Sequence, residues 1–136
     1  MPASKPTPSE PPLVLIADDD PPTRTIVKFK LQRAGFSVEV VTNGEDVHAI
    51  AARRKPRAIV LDVMMPVQDG MTALAKLKRD PGTAAIPVII FTAKVSEEDE
   101  RKCRAAGAAD FIPKPFYPED LVTRVRRVID STAHAT

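Results

Sequence analysis

The chain has 136 residues, which fits one domain with a full hydrophobic core. Its 20 basic and 18 acidic residues give a net charge of +2, too balanced for nucleic-acid binding by bulk electrostatics, and its apolar runs of about five residues are too short to span a membrane. We therefore expect neither a membrane nor a nucleic acid as a direct partner, and the single cysteine, Cys103, excludes an internal disulfide and fits a cytoplasmic location.

The amino-terminal segment, residues 1–12, contains five prolines and almost nothing to bury. This composition predicts a disordered tail rather than part of the folded domain. The apolar run at 13–17 then predicts the first strand of a domain that extends over 13–131, with a short carboxyl-terminal tail at 132–136.

The first helix is predicted at about 21–34. Asp20 is suited to cap it, Pro21 suits its first turn, and Gly35 follows its end. The residues of this region that we expect to pack against the core are Ile26, Val27, Phe29, Leu31, Ala34 and Phe36.

Strand and helix patterns alternate along the rest of the domain. Further strands are predicted near 38–41, 58–61, 87–91 and 109–112, and further helices near 44–53, 70–79 and 97–106 and from Pro118 onward. Five such units in alternation predict one open, doubly wound α/β domain with a parallel sheet.

Five polar residues lie within two residues after the ends of four of these predicted strands. They are Asp18, Asp19, Asp62, Thr92 and Lys114. In a parallel sheet the carboxyl ends of the strands lie along one edge, and ligands bind there. Taken singly, each residue has an ordinary explanation as a capped turn, a strand-end hydroxyl or a surface lysine, so the prediction of a site rests on their joint placement.

These side-chain types suit phosphoryl transfer to a carboxylate. Two neighbouring carboxylates repel by about 1–4 kcal/mol at effective dielectric constants of 80 to 20, and a divalent cation such as Mg²⁺ would offset that cost. Asp62 would be the nucleophile that forms an acyl phosphate. Thr92 and Lys114 would donate hydrogen bonds to the phosphoryl oxygens, next to a cation held by Asp18 and Asp19.

The sequence resembles the receiver domain of bacterial two-component response regulators. The resemblance covers about 13–131. The acids, the hydroxyl and the amine follow one another in the same order as in that family, at spacings of 43 (19 to 62), 30 (62 to 92) and 22 (92 to 114). The motifs that carry it are Ile16-Ala17-Asp18-Asp19-Asp20, Leu61-Asp62-Val63-Met64-Met65-Pro66 with Asp69-Gly70, Phe91-Thr92-Ala93 and Lys114-Pro115-Phe116. Segments 17–21 and 105–111 are most similar to receivers of winged-helix transcription factors.

The resemblance implies a CheY-like, flavodoxin-like fold with strand order 2-1-3-4-5 and five helices. It implies that a histidine kinase or a histidine phosphotransfer protein phosphorylates Asp62, and that the chain then signals to a downstream effector protein. Asp18, Asp19 and Asp62 and the backbone carbonyl of Met64 would be the Mg²⁺ contacts. A cis peptide bond is expected between Lys114 and Pro115.

The resemblance also implies a switch and an interface. Thr92 would move toward the phosphoryl group, and Phe111 would rotate into the space that it leaves. Asp110 would then pair with Arg124 or Arg127 of a second copy. Ala109 stands where relatives carry a further acid, so we expect at most a weak, phosphorylation-dependent homodimer.

Two other classes of function remain open at this point. One is an enzyme that turns over an aspartyl phosphate, although Met64 stands where a general acid would be needed. The other is an interaction module that is never phosphorylated, although all the expected site residues are present. The chain ends at Thr136 without a DNA-binding domain, so we expect either a stand-alone receiver or a receiver whose effector is not on this chain.

Overall fold

The computed structural model describes residues 11–63, 70–93 and 96–133. Five strands form one parallel sheet in the order β2-β1-β3-β4-β5, and five helices connect and follow them. The strands are β1 (Leu13–Ala17), β2 (Ser37–Val41), β3 (Ala58–Leu61), β4 (Val88–Thr92) and β5 (Asp110–Pro113). The helices are α1 (Pro21–Arg33), α2 (Glu45–Arg54), α3 (Gly70–Arg79), α4 (Glu97–Ala105) and α5 (Pro118–Ala133). The flavodoxin-like fold class and strand order predicted from the sequence are confirmed.

The three inner strands are buried on both faces. Every residue of β3 and β4 is buried, as expected for strands that have helices on both sides. Alternate residues of each strand face opposite layers: Leu15 packs toward α2, α3 and α4, and Ile16 packs toward α1 and α5. Two hydrophobic layers therefore hold the sheet in the middle of the domain and fix the positions at which the strands end.

The described structure includes a few residues that the sequence analysis assigned to the two tails. The carbonyl of Pro12 accepts a hydrogen bond from Ser37 N at 2.9 Å, and α5 continues to Ala133. Most of the two predicted tails lies outside the described residues. Among the residues described, no helix combines the length and apolar character that crossing a bilayer requires.

The predicted burial of α1 was partly wrong. Val27 and Leu31 are buried, but Ile26 is 50% exposed and Phe29 is 54% exposed. Each residue advances by about 100° around a helix, so Phe29 points about 200° away from Val27. Only the stripe through Val27 and Leu31 faces the sheet and α5, which leaves Ile26 and Phe29 on the outside of the helix.

The caps predicted for α1 and α4 are confirmed. The Asp20 carboxylate accepts hydrogen bonds from Thr23 N at 3.3 Å and from the Thr23 hydroxyl. Ser96 Oγ accepts from Asp99 N at 3.0 Å. These bonds satisfy backbone donors that would otherwise lack a partner in the first turn. Asp20 is thereby a structural acid, distinct from its neighbours Asp18 and Asp19.

Candidate functional site

Asp18 and Asp62 lie side by side because β1 and β3 are adjacent in the sheet. Ala17 is paired with Leu61, and Asp62 N donates a hydrogen bond to Ala17 O at 2.9 Å. Each acid directly follows its strand, so both carboxylates lie at the carboxyl edge of the sheet, and both are buried. The strand ends thus hold two acids in a place where unpaired charge is costly.

Lys114 joins these two acids from the loop after β5. Its Nζ lies 2.9 Å from Asp18 Oδ2 and 3.0 Å from Asp62 Oδ2. Burial alone would lower the pKa of Lys114, but the hydrogen bonds to Asp18 and Asp62 outweigh burial and hold the pKa above its usual value. The peptide bond between Lys114 and Pro115 is cis, as predicted.

A third acid completes an anionic cluster. Asp18, Asp19 and Asp62 each offer a carboxylate oxygen, and these oxygens lie within 4.8 Å of one another. Asp19 is exposed, whereas the other two are buried. Lys114 pairs with Asp18 and Asp62, so three carboxylates and one ammonium group give the cluster an excess of negative charge. An all-oxygen donor set with excess negative charge suits a hard divalent cation such as Mg²⁺.

Gly70 allows α3 to begin directly against the end of β3. A Cβ atom at this position would lie 2.5 Å from Val63 Cα and 2.6 Å from Asp62 O. Gly70 N also donates to Val63 O at 3.0 Å. Any larger residue would push the backbone that carries Asp62 out of place. The Met64 carbonyl, predicted as a further Mg²⁺ contact, lies outside the described residues.

Thr92 is fully buried at the carboxyl end of β4. It pairs in register with Pro113, and its carbonyl accepts a hydrogen bond from Lys114 N at 2.8 Å. Thr92 therefore stands at the same edge of the sheet as the acids and next to the residue that reaches them. Its movement toward a phosphoryl group stays a prediction.

The predicted switch residue Phe111 is buried in the layer that faces α4, where Cys103 also packs. Its neighbour Asp110 has both of its arginine partners within the same chain. Arg124 Nη1 lies 2.9 Å from Asp110 Oδ1, and Arg104 Nη2 lies 3.4 Å from the same atom. The third predicted interface residue, Arg127, is exposed. The pairing of Asp110 with an arginine of a second copy stays a prediction. In the structure, Asp110 pairs instead with Arg104 and Arg124 of its own chain.

A cleft of about 460 Å³ opens beside Lys114. It is lined by Thr23, Ile26, Val27, Ala93, Lys114, Pro115, Phe116 and Pro118. Within the described part of the chain, the large hydrophobic residues that are exposed are Ile26, Phe29 and Tyr117. Ile26 lines the cleft, Phe29 lies one turn further along α1, and Tyr117 lies between two lining residues. Exposed apolar groups gathered around one opening indicate a contact surface.

Two features of this region were missed by sequence reasoning. Phe91, noted only as part of a motif, has its ring centroid 4.6 Å from Lys114 Nζ. Arg104 reaches Asp110 from α4 although the sequence gave it no distinguishing pattern. The aromatic residue directly before Thr92 was a sequence signal for the contact between Phe91 and Lys114. We find no such signal for the contact between Arg104 and Asp110.

A buried acid pair bridged by a lysine, with a third acid at the carboxyl edge of a 2-1-3-4-5 parallel sheet, defines a receiver-type domain. The family model for the response regulator receiver domain matches residues 14–126. The chain belongs to this family of signalling domains, as the sequence motifs predicted.

Two curated relatives that match most of this chain are transcriptional regulators. The phosphate regulon transcriptional regulatory protein PhoB of Pseudomonas aeruginosa is 39% identical over 119 residues, which are 88% of this chain and 52% of that protein. The DNA-binding dual master transcriptional regulator RpaA of Synechocystis is 38% identical over 121 residues, 89% of this chain and 50% of that protein. The chain therefore spans about half the length of these relatives.

Solved structures of receivers superpose on almost the whole domain. A putative response regulator from Chloroflexus aurantiacus matches with a TM-score of 0.84 and 30% identity, covering 89% of this chain and 99% of that one. The receiver domain of a Pseudomonas aeruginosa sensor histidine kinase matches with a TM-score of 0.82 and 28% identity, covering 88% and 98%. That kinase receiver was solved with a magnesium ion coordinated in its active site cleft.

Proposed function

We propose that Asp62 accepts a phosphoryl group from a phosphorylated histidine of a kinase or phosphotransfer protein. A carboxylate oxygen of Asp62 attacks phosphorus, the P–N bond to the imidazole breaks, and the imidazole nitrogen keeps the electron pair and takes up a proton. The product is an acyl phosphate on Asp62. The chain would thereby support its own phosphorylation and act as a switch, without turning over a metabolite.

One observation carries this proposal: Lys114 Nζ lies about equally close to a carboxylate oxygen of Asp18 and of Asp62. The ammonium group is held 3.0 Å from the oxygen that would attack phosphorus. From there it can donate to a phosphoryl oxygen as negative charge develops on it, which is the arrangement that stabilises phosphoryl transfer. Thr92, at the neighbouring strand end, would provide a hydroxyl donor for a second phosphoryl oxygen.

The acids would hold Mg²⁺ through Asp18, Asp19 and Asp62, with the Met64 carbonyl as a further contact. When bound, the ion would neutralise charge on the phosphoryl oxygens. The support for this assignment is the convergence of three carboxylates within 4.8 Å and their excess over the one lysine. The magnesium reported for the kinase receiver is consistent with the same use of the cleft.

The phosphodonor would dock on the rim formed by Ile26, Phe29 and Tyr117. Ile26 lines the cleft that leads to Lys114, Phe29 lies one turn further along α1, and Tyr117 lies between two lining residues. All three side chains are at least half exposed. A partner that covered them would bring its histidine toward Asp62 and exclude water from the site. Downstream, the phosphorylated chain would signal to an effector protein that recognises the surface of α4, β5 and α5.

A weak dimer through that same surface is the second part of the output proposal. Asp110 would exchange its intrachain arginines for Arg124 or Arg127 of a second copy, and this competition limits the affinity to the micromolar range or weaker, about −8 kcal/mol. Sedimentation with and without beryllofluoride, a phosphoryl mimic, tests it. We expect association only with the mimic and none for Asp110→Lys. A monomer in both conditions at high micromolar concentration would leave docking on a different protein as the output.

Incubation with radiolabelled acetyl phosphate and Mg²⁺ tests the phosphorylation itself. A stable stoichiometric label is expected for the wild type and for Asp20→Asn, because Asp20 only caps α1. Asp62→Asn should take up no label. Rapid turnover of acetyl phosphate would instead indicate an enzyme, and the absence of label on the wild type would indicate an interaction module that is never phosphorylated.

A further inference from the structure

We propose that Phe91 is a positioning residue for Lys114, and that a cation–π contact between its ring and the ammonium group helps to set the rate of phosphorylation. The inference rests on the proposed function, because it requires Lys114 to act on a phosphoryl group at Asp62. It adds a residue that donates no hydrogen bond and binds no metal, and whose effect on the reaction would pass through Lys114 alone.

The contact has the geometry of a strong cation–π pair. Lys114 Nζ lies 4.6 Å from the centroid of the Phe91 ring, well inside the limit of about 6 Å for this interaction. Phe91 is fully buried, and Lys114 is only 18% exposed. Water therefore screens the contact little, and the attraction between an ammonium group and an aromatic ring is greatest where both are desolvated.

The ring is itself held in place by a second aromatic residue. Phe116 meets Phe91 edge to face, with centroids 5.7 Å apart and an interplanar angle of 81°. Phe91 belongs to β4, and Phe116 belongs to the loop that also carries Lys114 and lines the cleft. The edge-to-face contact thus fixes the ring that the ammonium group touches, on the side of the sheet packed against α1 and α5.

The ring offers an attraction that does not compete with the reaction. In the structure, Lys114 donates to Asp18 and Asp62, the same carboxylates that would be engaged by a cation and by the phosphoryl group. Once those oxygens bind the cation or the phosphoryl group, other contacts must hold the ammonium group of Lys114 in place. A neutral aromatic face holds it beside the site without offering a carboxylate that would draw it away from the phosphoryl oxygens.

The chain contains a matched control for this contact. The guanidinium of Arg126 lies 5.4 Å from the centroid of the Phe36 ring. Phe36 is also buried, but it precedes β2 and so lies at the amino edge of the sheet, opposite the acids. Changes to the electrons of the Phe36 ring should weaken a cation–π pair of the same kind without reaching the site.

The test is site-specific replacement of Phe91 by 4-fluoro-, 3,5-difluoro- and 3,4,5-trifluorophenylalanine. Fluorine withdraws charge from the ring face step by step and changes the ring shape little. The rate constant for labelling by acetyl phosphate with Mg²⁺ should fall stepwise, by about three- to tenfold across the series. The same series at Phe36 should change this rate by less than about twofold.

A second readout uses the protein without metal or phosphodonor. The ε-methylene protons of Lys114 should show an upfield ring-current shift in NMR spectra, and Phe91→Leu should remove it. Equal labelling rates across the Phe91 series, or an unshifted Lys114 resonance in the wild type, would overturn the inference. If the wild type takes up no label at all, the proposed function fails, and the ring-current shift still decides whether Phe91 positions Lys114.

Discussion

Lys114 and Asp110 are the centres of two charge clusters with opposite arrangements. Lys114 is one cation between two carboxylates, those of Asp18 and Asp62. Asp110 is one carboxylate between two guanidinium groups, those of Arg104 and Arg124. The Lys114 cluster joins residues 52 and 96 positions apart, whereas the Asp110 cluster joins residues only 6 and 14 positions apart. Asp110 begins β5, and Lys114 directly follows its end.

The two clusters differ in charge balance and in burial. Around Lys114 the acids outnumber the base once Asp19 is included, and two of those acids are buried. Around Asp110 the charges balance, because Glu100 also pairs with Arg104, at 3.0 Å, so that two acids face two arginines. Both arginine side chains are more than a third exposed. A buried cluster with excess negative charge is able to bind a further cation. An exposed cluster without net charge mainly holds α4 and α5 against β5. Ion pairing alone therefore does not identify a functional site in this chain.

The largest expected effect is on the Lys114 cluster. Without Mg²⁺, Lys114→Met should lower the free energy of unfolding by about 3 kcal/mol, because it removes the ammonium group that the buried carboxylates of Asp18 and Asp62 share. Saturating Mg²⁺ should recover most of this loss. Urea denaturation with and without Mg²⁺ measures both quantities, and a loss that Mg²⁺ does not reduce would show that the acids do not hold the ion.

The next effect is on the affinity for Mg²⁺. Asp19→Asn removes a charged ligand from the cluster and should weaken binding by tenfold or more, about 1.4 kcal/mol. Asp20→Asn is the matched control, because asparagine also caps a helix and Asp20 is not part of the cluster. Calorimetric titration compares the two, and equal losses of affinity would mean that bulk charge rather than coordination attracts the ion.

The smallest effects are expected at the Asp110 cluster. Asp110→Asn should cost about 1 kcal/mol, since its amide oxygen can still accept the hydrogen bond from Phe111 N at 2.8 Å. Arg104→Gln should cost less than about 0.5 kcal/mol, because Arg104 is largely exposed. Neither should change the affinity for Mg²⁺. Thermal unfolding with Arg101→Gln as a control measures these changes, and a loss above about 3 kcal/mol at Asp110 would remove the contrast with Lys114.

The pattern of the sequence was sufficient for the doubly wound α/β class and for the main side chains near the site, and the resemblance to receiver domains supplied the strand order. Short apolar runs ending in Asp18, Asp62 or Thr92 specify both a buried strand and a polar group at its end, so periodicity alone places these residues at one edge. The motif at Lys114 added the last member. These predictions need only the positions at which strands begin and end, and a short stretch of sequence is enough to indicate those positions.

Features that depend on side-chain direction could not be predicted in this way. Ile26 and Phe29 are apolar, but their angular position around α1 relative to the sheet leaves them exposed. Arg104 reaches Asp110 only because of how α4 lies against β5. The contact between Phe91 and Lys114 joins a residue of β4 to a residue of the loop after β5, and their relative positions follow only from the completed fold.

The central claim is that Asp62 is the residue that carries the phosphoryl group. Borohydride reduces an acyl phosphate to an alcohol, so treatment after incubation with acetyl phosphate and Mg²⁺ marks the acid that was phosphorylated, and peptide mass spectrometry locates it. We expect reduction at Asp62 alone, and none when Mg²⁺ is omitted. Reduction at Asp18 or Asp19 with Asp62 unmodified would contradict the assignment.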